Sequence, residues 1–182
     1  MLEAAGVPFE SVDAGLDEEE AKAGLADAGF DPRDLAEMLA EMKARSVSGH
    51  GDALVLGADQ TLELDDGSMM SKPASRDDAL AQLRSLSGRT HFLHSAAVIV
   101  EQGERAWGRT ESVALRVRPL SDGFLHDYLD REYEAIRGSV GGYRIEGEGV
   151  QLFEEIEGSQ FPLLGLPLLP LLAFLRERQI LG

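Results

Sequence analysis

Residues 54–67 read LVLGADQTLELDDG, and how this stretch folds decides the rest. An apolar run from Leu54 to Ala58 breaks into Asp59 and Gln60, resumes as Thr61-Leu62-Glu63-Leu64, and ends in Asp65-Asp66-Gly67. The β-branched and apolar content predicts a strand from Ala53 to Leu64, and the Asp-Asp-Gly triplet a turn. Asp and Gln are poor strand formers, and an unpaired buried carboxylate is costly. Either the strand surfaces here or the carboxylate sits at a working site. At the end of an apolar strand Asp59 reaches the rim of an α/β sheet, where ligands commonly bind. Taken alone, an Asp in such a place is more often a turn or capping residue.

Working outward, residues 17–48 read as helical. Asp31-Pro32 is a good helix start, and Leu35, Met38, Leu39 and Met42 recur on one stripe behind it. Downstream of the turn, Ser75-Arg76-Asp77-Asp78 resembles a capping box, followed by Leu80, Leu83 and Leu86 and stopped by Gly88. Two extended segments follow, 90–101 and 105–118, with Gln102-Gly103 between them as a hairpin turn. Ser121 caps a helix over 122–132. The segment GSVGGYRIEGEG (138–149) carries glycines at 138, 141, 142, 147 and 149, so its backbone must bend or approach something closely. A strand over 150–156 and a last helix over 167–179 complete the chain. Helices and strands alternate while hairpins are also present, which predicts an α/β domain with a mixed sheet.

The chain has 182 residues, enough for one domain with a substantial core. Its formal net charge of −16 argues against binding to nucleic acid polymers or anionic membranes, which relies on Lys and Arg neutralising phosphates. A small anionic ligand remains compatible if a few cations or a metal are concentrated in one place. There is no cysteine, so disulfides, Cys-ligated zinc and thiol catalysis are excluded. The apolar C-terminal run FPLLGLPLLPLLAFL is interrupted by prolines and makes a poor membrane helix. With no basic-then-apolar N-terminal stretch, the expected compartment is the cytoplasm.

Few residues carry chemistry on their face. Lys72-Pro73 offers a surface cation or a positive charge for a phosphate. Arg89 and His91, in SGRTH, follow a helix end, where an arginine complements the dipole and a lone histidine is usually structural. The four histidines lack HExxH spacing; Ser46, Ser48 and Ser139 lack a GxSxG context; no P-loop or GxGxxG motif occurs.

Taken in order, GADQ (57–60), SKP with LSGRTH (71–91), GSVGGYRIEGEG (138–149) and IEGSQFPLLGLPL (156–168) resemble the Maf family of nucleoside triphosphate pyrophosphatases, from about Pro8 to the C-terminus. That resemblance implies an elongated α/β, mixed-sheet fold of the Maf and ITPase kind, with a cleft between two lobes, in a homodimer. It implies hydrolysis between the α and β phosphates, giving a nucleoside monophosphate and pyrophosphate, with a divalent cation, Mg²⁺ or Mn²⁺. The family's proton-accepting Asp falls on Asp59, which also serves as a metal ligand. Its lysines fall on Lys72 and, in EMKARSV, on Lys43. An acidic metal ligand falls on Asp17 or, under a looser alignment, on Glu18. Gln60 and Glu146 occupy positions that look like those of the subgroup acting on 7-methyl-GTP. A carboxylate at 146 can accept hydrogen bonds from the guanine N1 and N2 donors and suits a positively charged methylated ring.

Family members open with a strand and a phosphate-binding loop of the form LASxSPRR, whereas this chain opens with Met1-Leu2-Glu3-Ala4-Ala5-Gly6, resembling the segment after that loop. The expectation is an N-terminally shortened single domain over 1–182, weakly active or inactive. A non-catalytic nucleotide-binding or septum-regulating protein is the alternative reading.

Overall fold

A computed structural model describes residues 1–47 and 53–182. The chain runs through α1 (Glu18–Asp27), α2 (Pro32–Ser46), β1 (Leu54–Leu64), β2 (Met69–Met70), α3 (Arg76–Leu86), β3 (Thr90–Glu101), β4 (Glu104–Val117), α4 (Asp122–Ile136), β5 (Phe153–Glu157), α5 (Gln160–Leu163) and α6 (Leu168–Glu177). The strands form one antiparallel sheet in the order β2-β1-β3-β4-β5. The α/β reading therefore holds, but the sheet is antiparallel rather than mixed: the alternation of helices and strands suggested parallel crossovers, whereas the hairpin signals account for the strand directions. Gln102 and Gly103 both take positive φ, 50° and 83°, the backbone of a tight primed turn between β3 and β4.

The helix expected over 17–48 is two helices. Ala28 closes α1, Gly29 turns at φ 85°, and the Asp31 carboxylate caps α2 by accepting from the Asp34 N–H at 2.8 Å. Ser48, at the far end of that expected helix, lies outside the described residues. The capping box at Ser75 is present: Ser75 Oγ accepts from Asp78 N, and Asp78 reaches back to the Ala74 N–H at 2.8 Å. At the other end of α4 the helix runs on to Ile136, past the residue 132 expected. A short 3₁₀ turn takes Glu148–Leu152, so β5 starts only at Phe153.

The chain forms two compact units, and β1, β3 and β4 contribute residues to both. The first comprises 1–60, 94–112 and 159–182. Strand alternation there divides the core into two layers. Val55 of β1 and Ala96, Val98 and Val100 of β3 pack against Ala36, Ala40 and Ala44 of α2. Leu54, Leu56 and Ala58, with Ala97 and Ile99, pack against Leu168, Leu171, Phe174 and Leu175 of α6. The alanine stripe on α2 lets helix and strand approach so closely that a Cβ on Gly57 would lie 2.0 Å from Ala40 O and 2.8 Å from Ala44 N. Only glycine fits at 57, for reasons of space rather than backbone conformation.

The second unit comprises 61–93 and 113–158. Leu80, Leu83 and Leu86 of α3 and Leu125, Tyr128, Leu129 and Ile136 of α4 supply its buried side chains, with Leu62, Leu115 and Tyr143. The glycine-rich segment folds against this core. Gly141 and Gly142 take φ 79° and 68°, and a Cβ on Gly141 would meet the Tyr143 ring at 2.7 Å. Tyr143 Oη lies 2.6 Å from His91 Nε2, and both residues are buried.

Candidate active site

The first unit gathers charge at one place on its α2 side. β1 does not end at Asp59; it continues to Leu64 with Thr61 and Leu62 buried, so Asp59 sits within the strand. By parity Asp59 shares the α2 face with Val55 and Gly57. The absence of a side chain at Gly57 is what brings α2 near enough for its last turn to serve that carboxylate.

Lys43, from that last turn, donates to Asp59 Oδ1 at 2.6 Å and meets Glu18 Oε1 of α1 at 2.8 Å. Its remaining contact is a long one, 3.5 Å, to the Ala58 carbonyl. Glu18 arrives there because Asp17 caps α1, its Oδ1 accepting from the Glu20 N–H at 3.0 Å. The adjacent acidic residues thus divide the work: Asp17 starts the helix and Glu18 pairs with Lys43. The structure brings Asp59, Lys43 and Glu18 together and leaves Asp17 exposed as a cap.

Asp59 is only 8% exposed, and its Oδ2 is buried without a hydrogen-bond partner among the described residues. Burial pushes its carboxyl above the ordinary carboxylate value, against the hydrogen bond and charge of Lys43 and the charge of Lys22. Burial opposes the charge on Lys43 as well, but its hydrogen bonds to Asp59 and Glu18 prevail and hold the ammonium above its usual range. The result is a charged lysine beside a carboxylate poised to take up a proton. An unpaired oxygen on a partly desolvated carboxylate is an acceptor awaiting a partner, whether water or a hard cation. No cluster of three or more metal-ligating side chains occurs among the described residues. Mg²⁺ asks less: it commonly uses one or two carboxylates, its own waters and substrate phosphates. Asp59 Oδ2, backed by Glu18, fits that demand.

Gln60 points the other way, as strand alternation requires. Its Nε2 donates to Ser95 Oγ at 2.8 Å and to Pro162 O at 3.0 Å, and Ser95 Oγ donates to the same carbonyl at 2.6 Å. Its amide hydrogens therefore hold the 159–163 turn, a use that the GADQ motif did not disclose.

Lys72 and Glu146 belong to the second unit, and both are exposed. Lys72 precedes the buried Pro73, which anchors the segment. Glu146 lies in the bend that Gly149 closes, where a Cβ would be 2.5 Å from Arg144 O. Its neighbour Glu148 is committed to Arg131 at 2.9 Å. Arg89 holds Asp65 in the β1–β2 turn, with Nε 3.0 Å from Oδ2, and so serves structure.

An antiparallel α/β chain that sets a buried carboxylate against a lysine on a glycine-thinned strand has the makings of a hydrolytic site for a charged substrate. The family model for Maf-like proteins matches residues 1–178, and the chain belongs to that family. It is 52% identical over 176 residues to a nucleoside triphosphate pyrophosphatase of Caulobacter vibrioides, covering 97% of this chain and 88% of that protein. To one from Ruegeria pomeroyi it is 48% identical, covering 100% and 91%. A 7-methyl-GTP pyrophosphatase of Rhizobium meliloti is 47% identical, with 97% and 89% covered.

Sequence reading missed Lys22, which is 9% exposed on α1. It stands four residues after Glu18, the spacing that puts two side chains on one helix face. That signal was present in EEEAK and becomes legible once Glu18 is known to face Lys43.

Proposed function

We infer that the chain is a nucleoside triphosphate pyrophosphatase, a hydrolase that splits the α–β phosphoanhydride to give a nucleoside monophosphate and pyrophosphate. The observation that carries the chemistry is the buried Asp59, with one oxygen on Lys43 and the other unpartnered. The names of its relatives, at 45–52% identity, support the substrate class.

A triphosphate repels an incoming oxygen nucleophile, so a catalyst must offset charge and activate water. Asp59 Oδ2 is the acceptor for a proton of the attacking water, a general-base contribution of typically ~10²–10⁴-fold. Lys43 keeps the other oxygen fixed, so the carboxylate cannot rotate away from the water. Glu18 holds the opposite side of Lys43 and fixes the ammonium between them. A bound Mg²⁺ or Mn²⁺ supplies charge neutralisation on the phosphates, and Asp59 and Glu18 are the residues that would hold it. Lys72 enters this reading through the family resemblance alone, as a further phosphate cation.

For the base we propose a guanine nucleotide, 7-methyl-GTP first. Glu146 is an exposed carboxylate able to accept from the guanine N1 and N2 donors, and a methylated ring adds an attractive positive charge. We place the reaction in the cytoplasm; no helix among the described residues is long and apolar enough to cross a membrane.

The test is a panel of canonical and modified nucleoside triphosphates with Mg²⁺ or Mn²⁺, separating pyrophosphate from orthophosphate release. Monophosphate with pyrophosphate is expected, fastest from 7-methyl-GTP. Orthophosphate as the sole product, or nucleotide binding without turnover, would overturn the activity. Preference for UTP or dTTP would overturn the base assignment alone.

A further inference from the structure

We propose that Lys22 is a phosphate-binding residue of the Asp59 site, donating to the polyphosphate of the substrate and to released pyrophosphate. This rests on the pyrophosphatase reading above and adds to it a cation that the family motifs do not contain.

The argument begins with the donors of Lys43. An ammonium has three N–H groups. Those of Lys43 face Asp59 at 2.6 Å, Glu18 at 2.8 Å and, at longer range, Ala58 O at 3.5 Å. A phosphate oxygen can gain Lys43 only through the third N–H, now on the long contact to Ala58 O, or by displacing a carboxylate, and the charge of Lys43 is already offset by two of them. In the first unit Lys43 therefore organises the site better than it grips an anion.

Lys22 is placed differently. It lies one turn beyond Glu18 on the same face of α1, the helix that packs on α2. Its stem is buried, with 9% of the residue exposed, yet it makes no hydrogen bond or ion pair among the described residues. Its charge is nevertheless felt at Asp59, where it favours the ionised carboxylate. A surface lysine would spread its ammonium into water at no cost. Burying the stem while leaving the head unpaired sacrifices hydration and rotamer freedom without a protein partner to offset them. An anionic ligand is the partner that offsets them. With Glu18 and Asp59 balanced against Lys43 and Lys22, the four side chains sum to zero, so the site admits a polyanion without net repulsion, and Lys22 contributes the uncommitted donors.

The experiment uses the full chain and two variants, Lys22→Met, which keeps the stem, and Lys22→Arg, which keeps the charge. Pyrophosphate binding is measured by calorimetry in Mg²⁺, and kcat and KM with the best nucleotide of the panel. Thermal melts confirm folding of both variants. K22M is expected to weaken pyrophosphate binding and raise KM at least tenfold while kcat stays within a few-fold; K22R recovers most of the affinity. Equal affinity of wild type and K22M for pyrophosphate overturns the proposal. So does a shift confined to the acid limb of the pH–rate profile with KM unchanged, which makes Lys22 a tuner of Asp59. Lys22-dependent pyrophosphate binding without nucleotide turnover sinks the pyrophosphatase reading and leaves the anion site standing. Turnover indifferent to Lys22 does the reverse.

Discussion

Asp59 and Gln60 are adjacent in β1, yet one is held by Lys43 on the α2 side at 2.6 Å and the other reaches Pro162 O on the opposite side at 3.0 Å. The polar pair that interrupts an apolar strand is two devices placed back to back by the pleat. Asp59 is exposed to chemistry through an unpartnered oxygen. Gln60 is consumed by Ser95 and the 159–163 turn. Each makes a different prediction.

Asp59→Asn should cost turnover at least ~10²-fold, the general-base contribution, while nucleotide binding survives. The variant should not be less stable. The folded-state pKa of Asp59 lies above its unfolded value, so ionising it opposes folding, and stability falls as pH rises past that range. Removing the ionisation removes that penalty. Single-turnover assays and thermal melts at pH 7 and 8 check both halves. A marked fall in melting temperature would mean that Lys43 depends on Asp59 more than Asp59 costs.

The same displacement sets the acid limb of the pH–rate profile. Asp59 accepts a proton only when ionised, so kcat/KM should fall on acidification with an apparent pKa above the ordinary carboxylate value, in the direction burial dictates. A limb at or below that value would show that another group limits the reaction, or that the cation Asp59 would hold draws its pKa down.

Gln60→Leu keeps the bulk but removes the donors to Ser95 and Pro162. Ser95 still donates to Pro162 O at 2.6 Å, so the carbonyl stays satisfied. The loss should be about 1–2 kcal/mol, one or two ordinary hydrogen bonds. Base preference should hold if Glu146 is the selector. Chemical denaturation and the nucleotide panel separate the two effects; a switch of preferred base without loss of stability would return Gln60 to the substrate.

How much of this the residues disclosed follows from how local each cause is. Caps, turns and hairpins are local: Asp31, Ser75, Ser121 and Gln102-Gly103 were all legible because their hydrogen bonds close within a few residues. The break between α1 and α2 was local too, at Gly29, but the charged run on either side masked it. Nothing short-range says that Gly57 is a contact for α2; that needs Ala40 brought back against it by the intervening chain. Nor does GADQ show that its Gln serves Pro162, 102 residues away. Asp59 was conspicuous because it violates strand preference, whereas Lys22 violates nothing until its burial is known.

Gly57→Ala tests the packing that makes the site possible. The added Cβ would overlap Ala40 O at 2.0 Å and press on Ala44 N at 2.8 Å, both backbone atoms of α2 that no rotamer change can move. Overpacking of this kind costs roughly 1–3 kcal/mol and is relieved by shifting the helix. A shift of α2 carries Lys43 away from Asp59, so activity should fall further than stability alone predicts, even well below the melting temperature.

His91 predicts a pH dependence of stability independent of catalysis. It is fully buried, its Nε2 on Tyr143 Oη at 2.6 Å, its Nδ1 without a partner among the described residues, and burial lowers its pKa to about 4. The unfolded chain takes up the proton near pH 6.5, the folded one only near 4, so the folded state loses ground as pH falls through that window. At about 1.4 kcal/mol per pH unit the full window is worth ~3 kcal/mol, complete near pH 4 and absent above about pH 7. Urea unfolding of wild type and His91→Gln between pH 7 and 4.5 checks this. The wild-type midpoint should fall more steeply than that of H91Q, which has no imidazole to protonate. Parallel slopes for the two proteins would place the titrating group elsewhere.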